Sequence, residues 1–239
     1  MGVETALSFL RLGRQAPDLD RAVRSFLDAI AEFGFDACAA GAWIGVGAGT
    51  VMRFYFNTWP QEWLDIHARN SDNWQDPVMA WTRRRMIPFL LSEEEEAMRR
   101  AGMSAMIDAT YAFGWTEILA VPLHGPGGYQ GLVSLASRRP EIRLEEVDIA
   151  LLAAMAATIH GRCHLATGFG KRSAPLPALS ERQIECMRWV VLGKTDAEIG
   201  AILGVSAKTA HYHVEKTKAA LGASTRAAAA SILMLDGLL

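Results

Sequence analysis

Apolar positions in the first 165 residues follow two different periods. Helical spacing predicts helices over residues 5–12, 19–33, 60–69, 78–84 and 144–165. Short apolar runs predict two hairpins with glycine-rich turns, one at 37–46 with 51–56 and one at 118–123 with 130–137. Strands flanked by helices predict an α/β sandwich, layered α-β-α, with a central antiparallel sheet. One face of such a sheet is suited to enclose a ligand.

A further helix is predicted at the acidic run of residues 93–96. Ser92 is its expected N-cap, and Glu95 is expected to complete the capping box from three positions later. Acidic side chains stabilise the positive end of a helix dipole, so the charge pattern supports a helix beginning here.

The last 60 residues predict four shorter helices in an all-α unit. Ser180 with Gln183, and Thr195 with Glu198, have the spacing of capping boxes. Ser206 is expected to cap the third helix, and Ser224 the fourth. The helix stops are Gly193, Gly204 and Gly222.

The second and third of these helices have the spacing of a helix-turn-helix, in which the second helix of the pair enters the DNA major groove. Its buried face, residues Ala210, Val214, Thr217 and Leu221, is expected to pack on Ile184, Met187, Val190, Ile199 and Ile202. Its opposite face presents Lys208, His211, Tyr212, Glu215 and Lys218. The alternative is a small helical bundle whose exposed face is only solvated.

The residues of this exposed face are expected to contact DNA in two ways, through phosphates and through base edges. Lys208, Lys216 and Lys218 are expected to neutralise phosphates, which supplies affinity without sequence information. His211 and Glu215 are expected to contact base edges, because imidazole and carboxylate groups match hydrogen-bonding groups in the major groove.

This pattern resembles the four-helix DNA-binding domain of the LuxR family of transcription regulators. The resemblance rests on Leu179, Ser180, Arg182, Trp189, Gly193, Lys194, Ile199, Gly204, Ser206, Thr209, His213, Leu221 and Arg226. Gln183 stands where the family places glutamate, and Met187 where it places leucine. The resemblance adds Lys194 and Thr209 to the expected contacts with double-stranded DNA.

The same resemblance implies that the fourth helix pairs two protomers. The small-residue face available for this contact is Ala227, Ala230, Ser231 and Met234. A homodimer would then bind a pseudo-palindromic operator with half-sites about one DNA turn apart.

Residues 58–92 and 118–137 resemble the autoinducer-binding domain of acyl-homoserine-lactone receptors of the LuxR family. The resemblance implies that the Trp63 indole N–H donates to the lactone carbonyl and that Asp76 accepts the ligand's amide N–H. It implies that Ser134 bonds a ligand carbonyl and that Trp59 lies along the ligand.

Two positions depart from the receptor pattern. His67 replaces a tyrosine that bonds the acyl-side carbonyl, and Leu91 replaces a tryptophan that packs over the lactone ring. His67 is expected to act as the donor instead, while Trp74, Trp81 or Trp115 fills the space. The expected ligand is an acyl-homoserine lactone, with a different acyl tail or another small amide or aromatic signal as the rival.

Charge is distributed unevenly along a chain whose net charge is only -2. Residues 1–170 contain 15 arginines, no lysine and 20 acidic residues, whereas residues 171–239 contain nine basic and six acidic residues. A phosphoacceptor receiver domain requires a lysine near its phosphorylation site, so the lysine-free portion excludes that class. An ATPase is excluded because the sequence has no glycine-rich loop ending in Lys-Ser/Thr.

The compartment is expected to be the cytoplasm. No apolar run reaches the roughly 18 to 20 residues of a membrane helix, and the first 15 residues lack a secretory pattern. The three cysteines are widely spread and are expected to be reduced. His160, Cys163 and His164 are expected to pack or face solvent rather than bind a metal.

The expected domains are a signal-binding domain at 1–167, a linker at 168–178 and a DNA-binding domain at 179–239. The predicted function is a ligand-responsive, dimeric regulator of quorum sensing, with no cofactor and no membrane partner. The alternative is an orphan regulator that responds to a non-lactone signal or acts by heterodimerising with another receptor. No nucleophile elbow, metal cluster or carboxylate pair suggests an enzyme.

Three site residues also have structural interpretations. Trp63 could be ordinary core, Asp76 a turn residue or helix cap, and Ser134 an ordinary strand residue.

Overall fold

The alternating apolar runs of the N-terminal part form a five-stranded sheet, seen in a computed structural model. The structure describes residues 2–13, 18–46, 49–70, 81–82, 84–125, 128–168 and 176–239. The chain divides into two compact units. Unit 1 comprises residues 1–124 with 129–170, and unit 2 comprises residues 125–128 with 171–239.

The predicted helices and strands of unit 1 occur in the predicted order, and the structure adds a strand at Phe89–Leu90 and a helix at Ser104–Ala112 that the sequence did not predict. Before the second hairpin come α1 (Gly2–Gly13), α2 (Leu19–Glu32), β1 (Ala37–Val46), β2 (Gly49–Asn57), α3 (Gln61–Asn70), β3 (Phe89–Leu90), α4 (Leu91–Arg100) and α5 (Ser104–Ala112). The unit then continues through β4 (Glu117–Gly125), β5 (Tyr129–Ser137) and α6 (Glu146–Thr167). Of the helix predicted over 78–84, residues 81–82 are helical and residue 84 lies in a turn, while residues 78–80 and 83 fall outside the described residues.

The strand order is β2-β1-β5-β4-β3. The β1/β2, β1/β5 and β3/β4 pairs are antiparallel. Both predicted hairpins are present, and the predicted antiparallel sandwich is confirmed.

Side chains on the central strands point alternately to two apolar layers. On one face, Cys38, Leu119 and Val133 belong to a buried cluster shared with α1, α2 and α6. The helices contribute Phe9, Phe26, Ile30, Leu152, Met155 and Ile159 to it. On the other face, Ala37 and Ala136 pack with Trp63 of α3 and Met106 of α5. Full burial of one large apolar side chain contributes about 1.5–3 kcal/mol, so both faces stabilise the sheet.

Helix α6 is the central helix of the first layer. By length and composition alone it is apolar enough to cross a membrane. Its residues Leu152, Met155, Ala156, Ile159 and Cys163 are instead buried in the cluster on the sheet. The α6 sequence is therefore explained by its place in the core.

The thiols facing this layer are buried and uncharged. Cys38 and Cys163 are free and buried. Burial raises the pKa of Cys38 well above its ordinary value and that of Cys163 to about 11. Both side chains therefore act as apolar packing groups at neutral pH.

A polar network lies between α6 and the sheet. The Tyr55 hydroxyl hydrogen-bonds to the Tyr129 hydroxyl at 2.8 Å and to His164 Nδ1 at 3.0 Å. His160 Nε2 lies 3.0 Å from the Gly41 carbonyl oxygen and 3.3 Å from the Tyr129 hydroxyl. A carbonyl only accepts, so Nε2 of His160 carries the hydrogen and donates.

Unit 2 contains the four predicted helices. They are α7 (Glu181–Val191), α8 (Asp196–Leu203), α9 (Ala207–Leu221) and α10 (Arg226–Leu235). Ser180, Thr195 and Ser206 cap the first three helices as predicted, each accepting from the amide three positions later. The shared core consists of Cys186, Met187, Val190, Ile199, Ala210, Val214, Leu221, Ala229, Ala230 and Leu233.

Two predicted helix caps are wrong. Thr225, not Ser224, caps α10, because its hydroxyl accepts the Ala228 amide at 3.0 Å. Helix α4 begins at Leu91 rather than after Ser92. The Ser92 hydroxyl instead donates to the carboxylate of Glu117 on β4.

The role predicted for Glu95 is also wrong. Glu93, not Glu95, accepts the Leu90 amide at 3.4 Å at the start of α4. Glu95 instead accepts from Arg99 and Tyr111.

One predicted packing contact in unit 2 is wrong as well. Ile202 is 45% exposed, because Ile199 and Leu203 provide the packing of the short helix α8.

Burial of His160 predicts a pH-dependent stability. Burial lowers the pKa of His160 from 6.5 to about 4. Between these values the unfolded chain binds a proton that the folded chain excludes, so the free energy of unfolding falls as the pH falls from about 6.5 to about 4. The expected loss is about 3 kcal/mol. Urea unfolding of the full chain across this range measures it.

The variant for this test is His160→Gln. An amide can still donate to the Gly41 carbonyl but does not titrate, so His160→Gln should flatten the pH slope. Equal slopes for wild type and His160→Gln would contradict the assignment.

Candidate signal-binding and nucleic-acid-binding sites

Five tryptophans lie on the sheet face that carries α3 and α5. We call this surface the tryptophan face, comprising Trp43, Trp59, Trp63, Trp81 and Trp115. Three buried clusters form the face, and one of them shares Ile118 with the second cluster and Trp81 with the third. The face is therefore one continuous apolar layer.

Trp63 occupies the centre of an aromatic group. Its ring lies 5.9 Å from Trp59, 5.3 Å from Phe113 and 6.4 Å from Trp115, measured between centroids. The Trp59 and Trp115 rings meet it edge-on, an arrangement favoured by the charge distribution of aromatic rings. The side chain of Trp63 is 1% exposed.

Three indole N–H donors lie within this apolar layer. The Nε1 atoms of Trp59, Trp81 and Trp115 are buried and have no hydrogen-bond partner among the described residues. An unpaired buried donor costs about 1–3 kcal/mol. The face therefore offers several N–H donors to a carbonyl oxygen bound beside them.

The structure brings together four of the six residues predicted to contact the signal. Trp59 and Trp63 lie in the aromatic group, and Leu91 lies in a neighbouring cluster against which Trp81 packs. Ser134 is 6% exposed on β5 and shares the strand face of Leu132 and Ala136. Its register partner on β1 is Ala39.

The structure does not describe the side chains of the other two residues predicted to contact the signal. Asp76 lies outside the described residues, as does Trp74. His67 lies on α3, four residues after Trp63, but its side chain is also outside the described part of the chain.

Sequence reasoning gave Trp81 and Trp115 only a space-filling role and missed Arg138. The Arg138 guanidinium lies over Trp115 at 4.2 Å and over Phe113 at 5.0 Å. The Arg85 guanidinium covers the Trp81 ring at 4.5 Å and also pairs with Glu94. Cation–π contacts have no fixed spacing along a chain, so the sequence contained no signal for them.

The turn between α8 and α9 depends on two glycines. Gly204 ends α8 with a φ of 66°, a conformation that strains other residues. At Gly200 a Cβ atom would lie 2.8 Å from the Val205 carbonyl oxygen. The absence of a side chain at Gly200 lets the turn pack directly on α8, which sets the angle between the two helices.

The exposed face of α9 carries positive charge and an aromatic ring. Lys208 and Tyr212 are exposed, and Lys216 Nζ lies 5.7 Å from the Tyr212 ring centroid. Among the residues described here, Lys208 and Lys216 form no ion pair. Thr209 is half-buried and bonds the capping hydroxyl of Ser206 at 2.8 Å.

Other predicted DNA contacts have partners within unit 2. Lys218 binds both carboxylate oxygens of Glu215, at 2.8 and 2.9 Å. Lys194 Nζ lies 3.5 Å from Glu198. His211 Nδ1 lies 2.8 Å from the Asp196 carboxylate. Sequence reasoning missed Asp196, because it lies 15 residues before His211 on another helix.

Comparison with known families covers both units. The autoinducer-binding domain matches residues 18–163, and the luxR family of bacterial regulatory proteins matches residues 177–233. The chain belongs to the LuxR family. It is a LuxR-type transcription regulator of the quorum-sensing class, with an autoinducer-binding domain and a DNA-binding helix-turn-helix, and not an enzyme.

Several LuxR-type proteins resemble the chain over most of its length. BjaR1, a transcriptional activator of Bradyrhizobium diazoefficiens, is 26% identical over 95% of this chain and 93% of its own. RpaR, a quorum sensing-dependent regulator of Rhodopseudomonas palustris, is 25% identical over 94% and 90%.

Solved structures share the fold. SdiA of Escherichia coli superposes with a TM-score of 0.67 at 16% identity, covering 98% of this chain and 97% of SdiA. A second structure, SdiA in complex with octanoyl-rac-glycerol, has a TM-score of 0.62 at 17% identity over 95% and 92%.

The Gly200 contact predicts a defect in the helix-turn-helix. Alanine favours helix by about 1 kcal/mol over glycine, yet Gly200→Ala should lower the free energy of unfolding of unit 2 by about 1–3 kcal/mol. The physical reason is that the new methyl group meets backbone atoms of the turn, which cannot move away independently. Denaturant unfolding of the full chain measures the change.

Gly161→Ala in α6 is the matched control, because a Cβ there meets open space. This variant should be neutral or slightly stabilising. Wild-type stability of Gly200→Ala would mean that the turn does not need the close approach.

Proposed function

We propose that the chain binds an acyl-homoserine lactone or a closely related acyl signal on the tryptophan face. The supporting observation is the set of buried indole N–H groups of Trp59, Trp81 and Trp115, which have no partner among the described residues. A ligand carbonyl would remove the cost of leaving such donors unpaired. The surrounding apolar clusters would bury its acyl chain.

In this proposal the residues of the signal site have the roles that the family resemblance implies. Trp63 donates to the lactone carbonyl, Asp76 accepts the amide N–H, Ser134 bonds a carbonyl and Trp59 lines the ligand. His67 is the acyl-side donor, Trp81 occupies space beside Leu91, and Trp115 donates its indole N–H to a ligand carbonyl. The burial of Trp63 and Ser134 on one sheet face supports this arrangement.

We also propose that a cytoplasmic homodimer binds a pseudo-palindromic operator through α9. The proposed DNA contacts are Lys194, Lys208, Thr209, His211, Tyr212, Glu215 and Lys218. The exposed lysines and Tyr212 on one helix face support this assignment. The proposed limits are 1–167 for the signal-binding domain, 168–178 for the linker and 179–239 for the DNA-binding domain.

A non-lactone acyl signal is the second candidate. Leu91 offers less aromatic surface to a lactone ring than tryptophan would, which favours a ligand without that ring. A solved structure of SdiA, which shares the fold, is a complex with octanoyl-rac-glycerol. Action through heterodimers with another receptor is the remaining alternative, and specific operator binding by the purified homodimer would argue against it.

A ligand panel tests the signal class. Acyl-homoserine lactones of several chain lengths, and octanoyl glycerol, are added to the full chain in a thermal-melt series. At about 100 times its dissociation constant, a ligand that binds only the folded chain stabilises it by about 2.7 kcal/mol. At least one lactone should raise the melting temperature. A response to octanoyl glycerol alone favours the second candidate, and a flat response contradicts both.

Trp115→Phe tests the indole donors directly. Phenylalanine keeps an aromatic ring but removes the N–H, so ligand affinity should fall about threefold to tenfold, as expected for one hydrogen bond. Trp43→Phe is the matched control, since Trp43 lies on the same face but its indole is not among the unpartnered buried donors. Equal affinities of the two variants would rule out a donor role for Trp115.

Salt dependence tests the DNA face. Lys208→Ala should weaken binding to selected and random duplexes by the same factor and lower the salt slope by about one. His211→Ala or Glu215→Ala should change base preference, because these side chains face base edges in the proposal. Equal losses on both duplexes for all three variants would contradict the assigned roles.

A further inference from the structure

Asp196 connects three helices of unit 2 through both of its carboxylate oxygens. Oδ2 lies 2.8 Å from His211 Nδ1 on α9, and Oδ1 accepts from Arg226 at 3.1 Å at the start of α10. Arg226 also donates to the Lys194 carbonyl at 2.7 Å. The Asp196 side chain is 24% exposed, so this contact lies at the edge of the core.

The chemistry of this contact determines which His211 nitrogen carries hydrogen. An ionised carboxylate can only accept, so Nδ1 must donate to Asp196. A neutral imidazole has a single N–H, and its second nitrogen is then an acceptor. Nε2 of neutral His211 is therefore left as a hydrogen-bond acceptor. The His211 side chain is 59% exposed.

Other charged groups near His211 leave this assignment intact. Arg226 faces the same carboxylate from α10. Lys208 and Glu215 lie three and four residues away along α9, on the same helix face. Glu215 is held by Lys218 rather than by His211. Asp196 is therefore the charged partner that orients the ring.

We propose that Asp196 is a positioning residue that sets the base preference of His211. The inference rests on the proposed DNA-binding role of α9. Because Nδ1 donates to Asp196, Nε2 of neutral His211 is a hydrogen-bond acceptor. It can accept from the exocyclic amine of cytosine or adenine in the major groove. Guanine O6 and N7 and thymine O4 are themselves acceptors, so they are disfavoured at this position.

If Asp196 only stabilised the fold, removing its carboxylate would have a different effect on DNA binding. Loss of a helix-to-helix contact would lower stability and weaken binding to every sequence. Loss of the tautomer constraint would change which base is preferred. Base preference is therefore the readout that separates the two roles.

The experiment selects bound duplexes from a library with about 20 randomised base pairs, using the full chain at about pH 8. The proteins compared are wild type, Asp196→Asn, His211→Ala, the double variant and Arg226→Gln. For wild type, one position in each half-site should favour cytosine or adenine by about threefold to tenfold, the range expected of one hydrogen bond.

The variants should differ at that position alone. His211→Ala should abolish the preference. Asp196→Asn should reduce it below about twofold, because an amide can either donate to or accept from Nδ1 and fixes no tautomer. The double variant should match His211→Ala, since Asp196 acts through His211. Arg226→Gln, which leaves the Asp196–His211 contact in place, should retain the preference even if stability falls.

Selective binding with the same base preference for wild type and Asp196→Asn would overturn the inference while leaving the DNA-binding proposal standing. No sequence selection by wild type would contradict the DNA-binding proposal itself.

Discussion

The two-sided burial of the central strands constrains the whole signal-binding unit. Neighbouring residues of β5 point to different layers, with Val133 and Leu135 in the α6 cluster and Ala136 beside Trp63. The first layer is completed by apolar side chains and by a polar network whose groups bond one another. The second contains indole donors that find no partner in the described part of the chain. This difference between the layers is the basis of the proposal that the second face binds a ligand with a carbonyl group.

In unit 2, a close backbone approach, helix caps and polar contacts determine how the helices are arranged. The close approach at Gly200 determines how the turn meets α8, while Ser206 caps α9 through the Thr209 amide. Gln183 joins the start of α7 to the core, because its amide accepts from the Ser180 amide and donates to Thr217. A carboxylate could accept at this position but could not donate while ionised, so the glutamine that departs from the family pattern makes both contacts. Asp196 then connects α9 and α10 at the surface.

Local signals in the sequence predicted much of this architecture. The caps at Ser180, Thr195 and Ser206 depend only on residues three positions apart, and the structure confirms them. Ser92 was predicted wrongly because its partner, Glu117, lies 25 residues away on a neighbouring strand. The contacts of Asp196 with His211 and of Arg138 with Trp115 likewise join distant segments. Trp63 and Ser134 were picked by resemblance, but no local pattern reveals which indole groups lack partners.

Native mass spectrometry of the full chain most directly tests whether a small signal completes the tryptophan face. The chain is produced with a mixture of acyl-homoserine lactones of different lengths in the growth medium, and any bound molecule is extracted and identified by its mass. The account predicts one acyl molecule per chain, retained by wild type and retained less by Trp115→Phe than by Trp43→Phe. A folded chain that carries no small molecule under these conditions would contradict the account.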